Sequence, residues 1–321
     1  MNKIEIALSN EQTNKKDALT FLEVSKKFRN KVALDKINFS VKAGEFHGFI
    51  GSNGAGKTTT IRALLGYYND IAGEIFINGI LSTKKEAKAK IGFIPEIANF
   101  PKALSSREFL YYFACMSGLD KKIAKVKVEE ALKKFNMDGD EFKGSPYFFS
   151  SGQKKKIMLI QALINDPEIL ILDEPTANLD VASRIDFYEK LAGLHKQGKT
   201  IFISSHNLAE LEKYVDSFTI IERGNVIMSQ SLKKDNQQNF NWTISVKAQD
   251  ITKCQNLLKN LKIKYFLNQS NNSFILFFED DQIKKTFVNK ITANNIEFSN
   301  FSEYRPSLQQ LYLENTNLKN K

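Results

Sequence analysis

The sequence predicts an α/β fold with a second, smaller α+β domain, and three observations lead to this prediction. A glycine-rich loop, GSNGAGKT, stands between the apolar run FHGFI and the periodic segment TTIRALLGYY. The runs EILIL and KTIFISS are apolar without polar alternation, which is typical of parallel strands that are covered on both faces. Near residue 233 the composition changes to a polar stretch rich in Asn and Gln, which indicates a linker.

The first strand-forming segment begins near residue 19, after an N-terminal extension of residues 1–18. The runs TFLEVSKKF, ALDKINFSV and GEIFINGI alternate with turns, and the last contains an Asn-Gly turn signal. These features predict an antiparallel β flap beside the α/β core.

A helical insert is predicted at about residues 100–165. Ser105 and Glu108 form a capping box ahead of FLYYFACM, and KVEEALKKF continues with helical periodicity. A further helix begins at SSGQ, where apolar residues follow at spacings of three and four. The start of that helix leaves backbone N–H groups without partners, and such an end attracts anions. The chain therefore carries two candidate phosphate cradles.

The C-terminal domain is predicted at residues 240–321. Its segments alternate as strand WTISVKA, helix ITKCQNLLKNL, strands KYFLNQ and SFILFFE, helix IKKTFVNKI and strand IEFSNF, followed by a last helix SLQQLYLEN. The order β-α-β-β-α-β predicts a small ferredoxin-like domain. No catalytic pattern is visible in it.

The composition narrows the class of protein. Hydrophobic residues make up 42% of the 321 residues, enough for two domains to bury cores. The longest apolar runs are shorter than the roughly 20 residues that cross a bilayer, and no secretory signal is visible, so we expect a cytoplasmic protein. Cys115 and Cys254 fall in different predicted domains and form no paired metal or redox motif.

The net charge of +10 is spread evenly along the chain. Residues 1–232 contain 33 basic and 28 acidic residues, and residues 233–321 contain 13 and 8, so both parts carry +5. A nucleic-acid-binding protein commonly concentrates basic residues in one arm or face. We therefore expect no nucleic-acid partner.

The first glycine-rich loop matches the P-loop pattern in the strand-to-helix context that the motif requires. Glycines let the backbone close around phosphate oxygens, Lys57 is expected to reach the outer phosphates, and Thr58 is expected to place its hydroxyl on Mg²⁺. The predicted nucleotide-binding residues of this loop are Gly51, Ser52, Asn53, Gly54, Ala55, Gly56, Lys57, Thr58 and Thr59.

Two acids end the strand ILIL. Two adjacent acids could be no more than a helix-capping turn, but a carboxylate after a strand stands where α/β folds bind ligands, and the P-loop favours the functional interpretation. We expect Asp173 to hold Mg²⁺ and Glu174 to orient an attacking water. His206 closes the strand IFISS, which we expect beside the Asp173 strand, and is a candidate contact of the γ-phosphate. The predicted catalytic residues are therefore Glu174, His206 and Lys57.

The motifs GSNGAGKTT, FSSGQ, ILILDEP, ANLD and SSH, in this order, resemble those of the nucleotide-binding subunit of an ABC transporter over residues 19–232. The resemblance implies a P-loop NTPase core, ATP hydrolysis and the cofactors ATP and Mg²⁺. It also implies a second ATP-binding subunit, identical or related, and a multi-span membrane permease that holds the protein on the inner face of the cell membrane.

The resemblance also assigns residues outside the P-loop. Phe28 matches the aromatic residue that stacks on adenine, where Tyr is more common. Asp180, with Asn178 and Leu179, matches a turn along the dimer seam. The signature motif of the family matches Ser150, Ser151, Gly152 and Gln153, and in the family it contacts the nucleotide of the partner subunit. The second cradle is therefore expected to serve the ATP of another chain.

This sequence departs from the family pattern at two positions. Ser151 stands where the first of two glycines is usual, which predicts a looser approach to phosphate. Glu96 stands where glutamine is usual, and a carboxylate remains a suitable ligand for Mg²⁺. Glu96 is therefore expected to bind the nucleotide's metal.

Two functions remain open from the sequence. The C-terminal domain resembles the extension of exporter-type members, which favours an exporter whose permease is separately encoded. The alternative is a soluble, single-cassette ATPase of the same superfamily with an assembly or regulatory role.

Overall fold

The structure is a computed structural model that describes residues 17–29, 31–232, 241–268, 272–304, 307, 308 and 312. Among these residues the chain forms two compact units. The first comprises 17–232 together with Tyr312, and the second comprises residues 241 to 308. The sequence placed Tyr312 in the C-terminal domain, whereas this residue belongs to the first unit. Residues 1–16 of the predicted N-terminal extension, the linker and most of the last helix lie outside the described residues, whereas Asp17 and Ala18 of that extension belong to the first strand.

The antiparallel flap is confirmed. Its sheet has the order β2-β1-β4-β5, in which β1 pairs antiparallel with β2 and β4. Asn78 and Gly79 join β4 to β5 with φ angles of 50° and 76°, the left-handed pair that a tight hairpin requires. The strands of the flap are β1 (Asp17–Phe28), β2 (Lys31–Lys42), β4 (Ala72–Ile77) and β5 (Ile80–Leu81).

The core is a six-stranded sheet with the order β10-β9-β3-β8-β7-β6 among the described residues, and its pairs are parallel except for β10 with β9. Every residue of β3, β7 and β8 is buried, which explains why these runs show no polar alternation. The strands are β3 (Phe46–Ile50), β6 (Ile91–Ile94), β7 (Ile169–Leu172), β8 (Thr200–Ser205), β9 (Ser217–Glu222) and β10 (Asn225–Ser231).

The topology brings three predicted motifs to one edge of this sheet. Strand β8 lies between β3 and β7 and is parallel to both. The P-loop, the Asp173–Glu174 pair and His206 each follow the carboxyl end of one of these strands. The expectation that the His206 strand lies beside the Asp173 strand is confirmed.

The helices of the first unit include the predicted insert. The capping box of Ser105 and Glu108 is present at the start of α3, and Ser150 and Gln153 form another at the start of α5. The helix predicted at SSGQ is therefore confirmed. The helices are α1 (Lys57–Leu64), α2 (Lys85–Lys88), α3 (Ser106–Met116), α4 (Lys121–Lys134), α5 (Ser151–Leu163), α6 (Val181–Lys196) and α7 (Leu208–Leu211).

The second unit has the β-α-β-β-α-β order that the sequence predicts. Its sheet has the order β12-β13-β11-β14 with antiparallel pairing, which is the ferredoxin-like arrangement. Phe274, Phe287 and Cys254 are buried in a core of its own. The elements are β11 (Asn241–Val246), α8 (Ile251–Asn260), β12 (Lys264–Asn268), β13 (Ser273–Phe277), α9 (Asp281–Ala293) and β14 (Phe298–Glu303).

Within the described ranges, no helix has the length and apolar character needed to span a membrane.

Candidate functional site

The P-loop joins β3 to α1 in a conformation that depends on glycine. Gly56 has a φ of 118°, which residues with a side chain rarely adopt. A Cβ atom at Gly51 would lie 2.4 Å from the carbonyl oxygen of Ile221, so the loop passes too close to β9 for any side chain. The loop ends at the N-terminus of α1, where N–H groups without intrahelical partners favour an anion. The local sequence thus builds a phosphate cradle.

Lys57 extends back over this loop. Its side chain is only 6% exposed, and Nζ donates hydrogen bonds to the carbonyl oxygens of Gly51 at 2.7 Å and Ser52 at 3.0 Å. The same ammonium group lies 3.1 Å from Oε1 of Glu174. The structure therefore brings together two residues that the sequence predicts to be catalytic.

Asp173 and Glu174 are held in place by a residue that the sequence analysis did not identify. The hydroxyl of Ser204, which is fully buried, donates to Oδ1 of Asp173 at 2.8 Å and accepts the backbone N–H of Glu174 at 2.9 Å. Asp173 is itself only 4% exposed. The available signal was the position of Ser204, two residues before His206 on the strand beside β7.

The Glu174 carboxylate lies between two partners. Oε1 faces the ammonium of Lys57, and Oε2 lies 2.8 Å from Nδ1 of His206. His206 is 56% exposed, whereas the Glu174 side chain is 12% exposed. A carboxylate fixed in this way can accept a hydrogen bond from a water molecule, and the lysine can neutralise charge on a phosphoryl group.

The site opens into a cavity of about 770 Å³. This volume falls within the range of about 300–1,000 Å³ that is usual for ligand pockets. The cavity joins residues from distant parts of the sequence and thus brings together much of the predicted site. The predicted residues that line it are Phe28, Asn53, Gly54, Gly56, Lys57, Thr58, Thr59, Glu96, Glu174, Asn178 and His206.

Phe28 is held at the rim of this cavity by two residues that the sequence analysis missed. The Tyr68 ring meets Phe28 edge to face, with 5.3 Å between centroids. The ammonium of Lys26 lies 4.7 Å from the Phe28 centroid and pairs with Asp70. The hydrogen bond from Lys26 lowers the pKa of the Asp70 carboxyl. These contacts hold the ring in one orientation and leave it 41% exposed, which fits a stacking role.

Three predicted P-loop residues do not line the cavity. Gly51 and Ala55 are buried. The Ser52 hydroxyl donates to the carboxylate of Glu222 at 3.0 Å, and Glu222 also accepts a hydrogen bond from the Tyr312 hydroxyl at 2.9 Å. The Glu222 carboxylate therefore links the Tyr312 hydroxyl to the Ser52 hydroxyl of the P-loop, and no sequence pattern indicated this link.

The signature residues lie elsewhere on the first unit. The Ser150 hydroxyl accepts the N–H of Gln153 at 3.3 Å, and Oε1 of Gln153 accepts the N–H of Ser150 at 3.0 Å, which fixes the start of α5. A Cβ atom at Gly152 would lie 2.8 Å from the hydroxyl of Ser183. The residues that line the P-loop cavity do not include 150–153 of the same chain.

Asp180 caps a helix beside the signature motif. Its carboxylate accepts the N–H of Ser183 at 2.9 Å and the Ser183 hydroxyl at 2.6 Å, at the start of α6. Like the signature residues, it is not among the residues that line the cavity, although Asn178 is. The predicted site residues thus form two groups, one at the P-loop cavity and one where α5 meets α6.

The carboxylates suit a metal that is bound mainly through phosphates. In the part of the chain that the structure describes, no three His, Cys, Asp or Glu side chains are grouped to hold a metal ion. Mg²⁺ is usually bound by one or two carboxylates together with substrate phosphates, rather than by an all-protein cage. Thr58 and Glu96 line the cavity, and Asp173 lies at the adjacent strand end. These oxygen donors fit Mg²⁺.

Taken together, the parallel sheet, the P-loop and the Lys57–Glu174 pair define a P-loop ATPase. The ABC transporter family model matches residues 34–177. An ABC transporter ATP-binding protein of Mycoplasma pneumoniae is 40% identical over 285 residues, which cover 88% of this chain and 86% of the relative. This chain belongs to the family of ABC transporter ATP-binding proteins, which are ATPases, and the family match lies within its first unit.

Further relatives extend the comparison. The Nod factor export ATP-binding protein I of Burkholderia orbicola is 36% identical over 213 residues, which cover 65% of this chain and 69% of that protein. The solved structure of CbiO1 from Clostridium perfringens, part of the ABC transporter complex CbiONQ, is 26% identical with a TM-score of 0.60. That match covers 67% of this chain and 89% of CbiO1.

The roles of Lys57 and Glu174 can be separated by substitution. Lys57→Ala removes the cation that faces the phosphate cradle, so we expect ATP binding and hydrolysis to be nearly abolished. Glu174→Gln keeps a side chain of the same shape but removes the charge that orients water, so binding should persist while turnover falls on the order of a hundredfold or more. Equilibrium binding of ATP and steady-state phosphate release would measure both.

Glu168→Gln is the matched control for this pair, because Glu168 precedes the strand that Glu174 follows. Its carboxylate is exposed and pairs with Lys90, away from the cavity. We expect wild-type hydrolysis from this variant. Wild-type turnover by Glu174→Gln would show that another group orients the water.

Proposed function

We propose that this protein is the energy-supplying subunit of an ABC transporter, which closes on a second ATP-binding subunit when ATP binds and drives a separately encoded permease. One observation carries the proposal: the P-loop cavity and the signature residues belong to the same chain but form two separate groups. The proposed phosphate cradle at the start of α5 therefore does not line the nucleotide cavity of its own chain. A second cassette in a symmetric dimer would supply the missing half of each site.

The proposed reaction is hydrolysis of the terminal phosphate of ATP. Phe28 stacks on the adenine, the P-loop N–H groups and Lys57 hold the phosphates, and Glu174 orients the water. Thr58, Asp173 and Glu96 would hold Mg²⁺, which supplies positive charge to the phosphate oxygens when it is bound. His206 fixes one carboxylate oxygen of Glu174, so it positions the base and stands beside the γ-phosphate.

A groove beside α3 supports the transporter role. It has a volume of about 600 Å³ and lies between α3, α5 and the segment that follows β6. Met116 is 87% exposed and Ile97 is 67% exposed, so large apolar side chains face solvent there. Such a groove is suited to a short amphipathic helix, and we assign it to a cytoplasmic helix of the permease. Its lining residues include Phe100, Pro101, Leu104, Phe109, Tyr112 and Phe113.

The direction of transport is proposed to be export. The Nod factor relative is named for export, and the ferredoxin-like second unit is the kind of C-terminal extension that the sequence analysis associates with exporters. The groove favours this transporter role over that of a soluble assembly ATPase. In this proposal the protein is cytoplasmic and lies on the inner face of the membrane through its permease, with an identical or related second ATP-binding subunit.

The composite site can be tested by mixing two inactive variants. In Lys57→Ala the P-loop is damaged and the signature is intact. In Ser151→Glu the reverse holds, because a carboxylate stands where γ-phosphate belongs. Ser151 is exposed at the first position of α5, where an acidic residue favours the helix, so this variant should fold. A mixed dimer contains one intact composite site, so roughly a quarter of the wild-type sites should return on random pairing.

ATP-dependent self-association must be shown first, by light scattering with the slow Glu174→Gln variant. Lys57→Ala mixed with Glu174→Gln serves as the control, because no site in that mixture has both an intact P-loop and an intact base. If homodimers form and exchange chains but the first mixture stays as inactive as its parents, the signature does not act on a partner's nucleotide.

The groove can be tested with a charge on its exposed rim. Met116→Glu places a carboxylate among apolar side chains, so we expect at least about fivefold less multi-span protein to co-purify from detergent-solubilised membranes. Val126→Glu is the control, because Val126 is also exposed on the helical insert but lies outside the groove. Both variants should melt at the wild-type temperature. Co-purification of no multi-span chain with wild-type protein would favour the soluble assembly ATPase.

A chain that ends near residue 234 should still bind ATP with an affinity within about twofold of the full chain, since every residue that lines the cavity precedes this point. The truncation also removes the Tyr312 hydroxyl from Glu222. Tyr312→Phe in the full chain removes that hydrogen bond alone and serves as the control. A folded truncation without ATP affinity would show that the C-terminal region completes the site, and calorimetry with ATP measures this.

A further inference from the structure

Three consecutive lysines, Lys154 to Lys156, follow the signature motif on α5, and they differ in their surroundings. The Lys156 ammonium pairs with the carboxylate of Asp186 at 3.1 Å, and the Lys154 ammonium lies 5.7 Å from the Tyr147 ring centroid. Both side chains reach partly into solvent. Lys155, by contrast, is only 4% exposed. A buried lysine is costly unless its ammonium group finds partners, so its contacts call for an explanation.

The contacts of Lys155 lead to the nucleotide cavity. Its Nζ donates to the carbonyl oxygen of Glu96 at 2.5 Å and to that of Pro95 at 3.2 Å. Burial lowers the pKa of Lys155 to about 8, and the negative charges of Glu96 and Asp173 partly offset this effect. The side chain thus joins the first turns of α5 to the backbone of the residue that lines the cavity beside the P-loop.

We propose that Lys155 is a positioning residue that holds the Glu96 segment so that the Glu96 carboxylate can reach the metal of the bound nucleotide. This inference rests on the proposed role of Glu96 as a ligand of Mg²⁺. The side chain of Glu96 is exposed, and among the described residues its carboxylate accepts no hydrogen bond and forms no ion pair within 4 Å. The backbone of Glu96 is held instead, because the Lys155 ammonium on α5 donates hydrogen bonds to the carbonyl oxygens of Pro95 and Glu96.

Positioning and simple electrostatics predict opposite results when the charge is removed. A cation behind a metal site repels Mg²⁺, so on electrostatics alone Lys155→Met should lower the Mg²⁺ concentration needed for half-maximal binding. If Lys155 positions Glu96, the same variant should raise that concentration. Residues that orient metal ligands typically contribute 10–100-fold to metal affinity, so we expect a rise of about tenfold.

The experiment measures binding of a fluorescent ATP analogue against Mg²⁺ concentration in the full-length protein, without reference to hydrolysis. Lys155→Met is expected to raise the half-saturating Mg²⁺ concentration. Lys155→Arg keeps the charge and the hydrogen-bond donors, so its half-saturating concentration is expected to stay close to that of the wild type. Lys154→Met is the matched control. Nucleotide affinity in EDTA and the melting temperature should be similar in all variants, because a merely structural defect would change these two quantities.

A second substitution shows whether Lys155 acts through Glu96. Glu96→Gln alone should raise the half-saturating Mg²⁺ concentration by about tenfold, but by at most about twofold when Lys155 is already methionine, because an untethered carboxylate contributes little. Amide hydrogen exchange across residues 93–99 should be faster in Lys155→Met than in Lys154→Met. This readout follows the backbone directly and would support the tether.

Several outcomes would overturn the inference. These are a lower or unchanged Mg²⁺ requirement in Lys155→Met, additive effects of the two substitutions, or unchanged exchange across residues 93–99. If Glu96→Gln alone leaves the Mg²⁺ dependence unchanged, Glu96 is not a metal ligand, and the inference fails together with that assignment. The proposed function has a separate test in the same experiment. It fails if wild-type protein does not bind the nucleotide in EDTA, a result that does not depend on Lys155 or Glu96.

Discussion

The parallel pairing of β8 with β3 on one side and β7 on the other is the constraint on which the site depends. Each of these strands ends at the same edge, and each is followed by one functional segment. The pairing therefore brings both Lys57 of the P-loop and His206 into contact with Glu174, although the P-loop precedes Glu174 by more than 100 residues in sequence. Complete burial of the three strands stabilises this arrangement, because separating the strands would expose apolar side chains on both faces to water.

Glu174 shows how the surroundings hold a strained residue. Its φ of 44° lies in the left-handed region, which costs on the order of 1–3 kcal/mol for a residue with a side chain. Ser204 accepts its N–H, Lys57 faces one carboxylate oxygen, and His206 faces the other. A return to ordinary backbone angles would break these contacts together. The conformation therefore persists, and it directs the carboxylate into the cavity rather than along the strand.

The sequence predicted what is encoded locally. The P-loop, the capping box of Ser105 and Glu108 and the apolar parallel strands are continuous patterns, and the structure confirms them. It did not predict Ser204, because a serine becomes important there only when its strand neighbour ends in Asp173. The sequence could not single out Lys155 either, because three lysines stand in a row. Only the position of each lysine around the axis of α5 decides which of them is buried. Tyr312 belongs to the same class, since its partner Glu222 lies 90 residues away.

Helix α5 gathers contacts that would otherwise be separate. Its N-terminus presents the signature residues, its first turns hold Glu96 through Lys155, and Met158 and Gln161 line the apolar groove assigned to the permease. At 1.5 Å per residue, its 13 residues extend about 20 Å, and a helix this short moves as a nearly rigid body. A displacement of α5 by a partner at the groove would therefore reach the signature and Glu96 together. In the proposed dimer, this one rigid helix would couple a membrane partner to two nucleotide sites, that of its own chain through Glu96 and that of the second subunit through the signature residues.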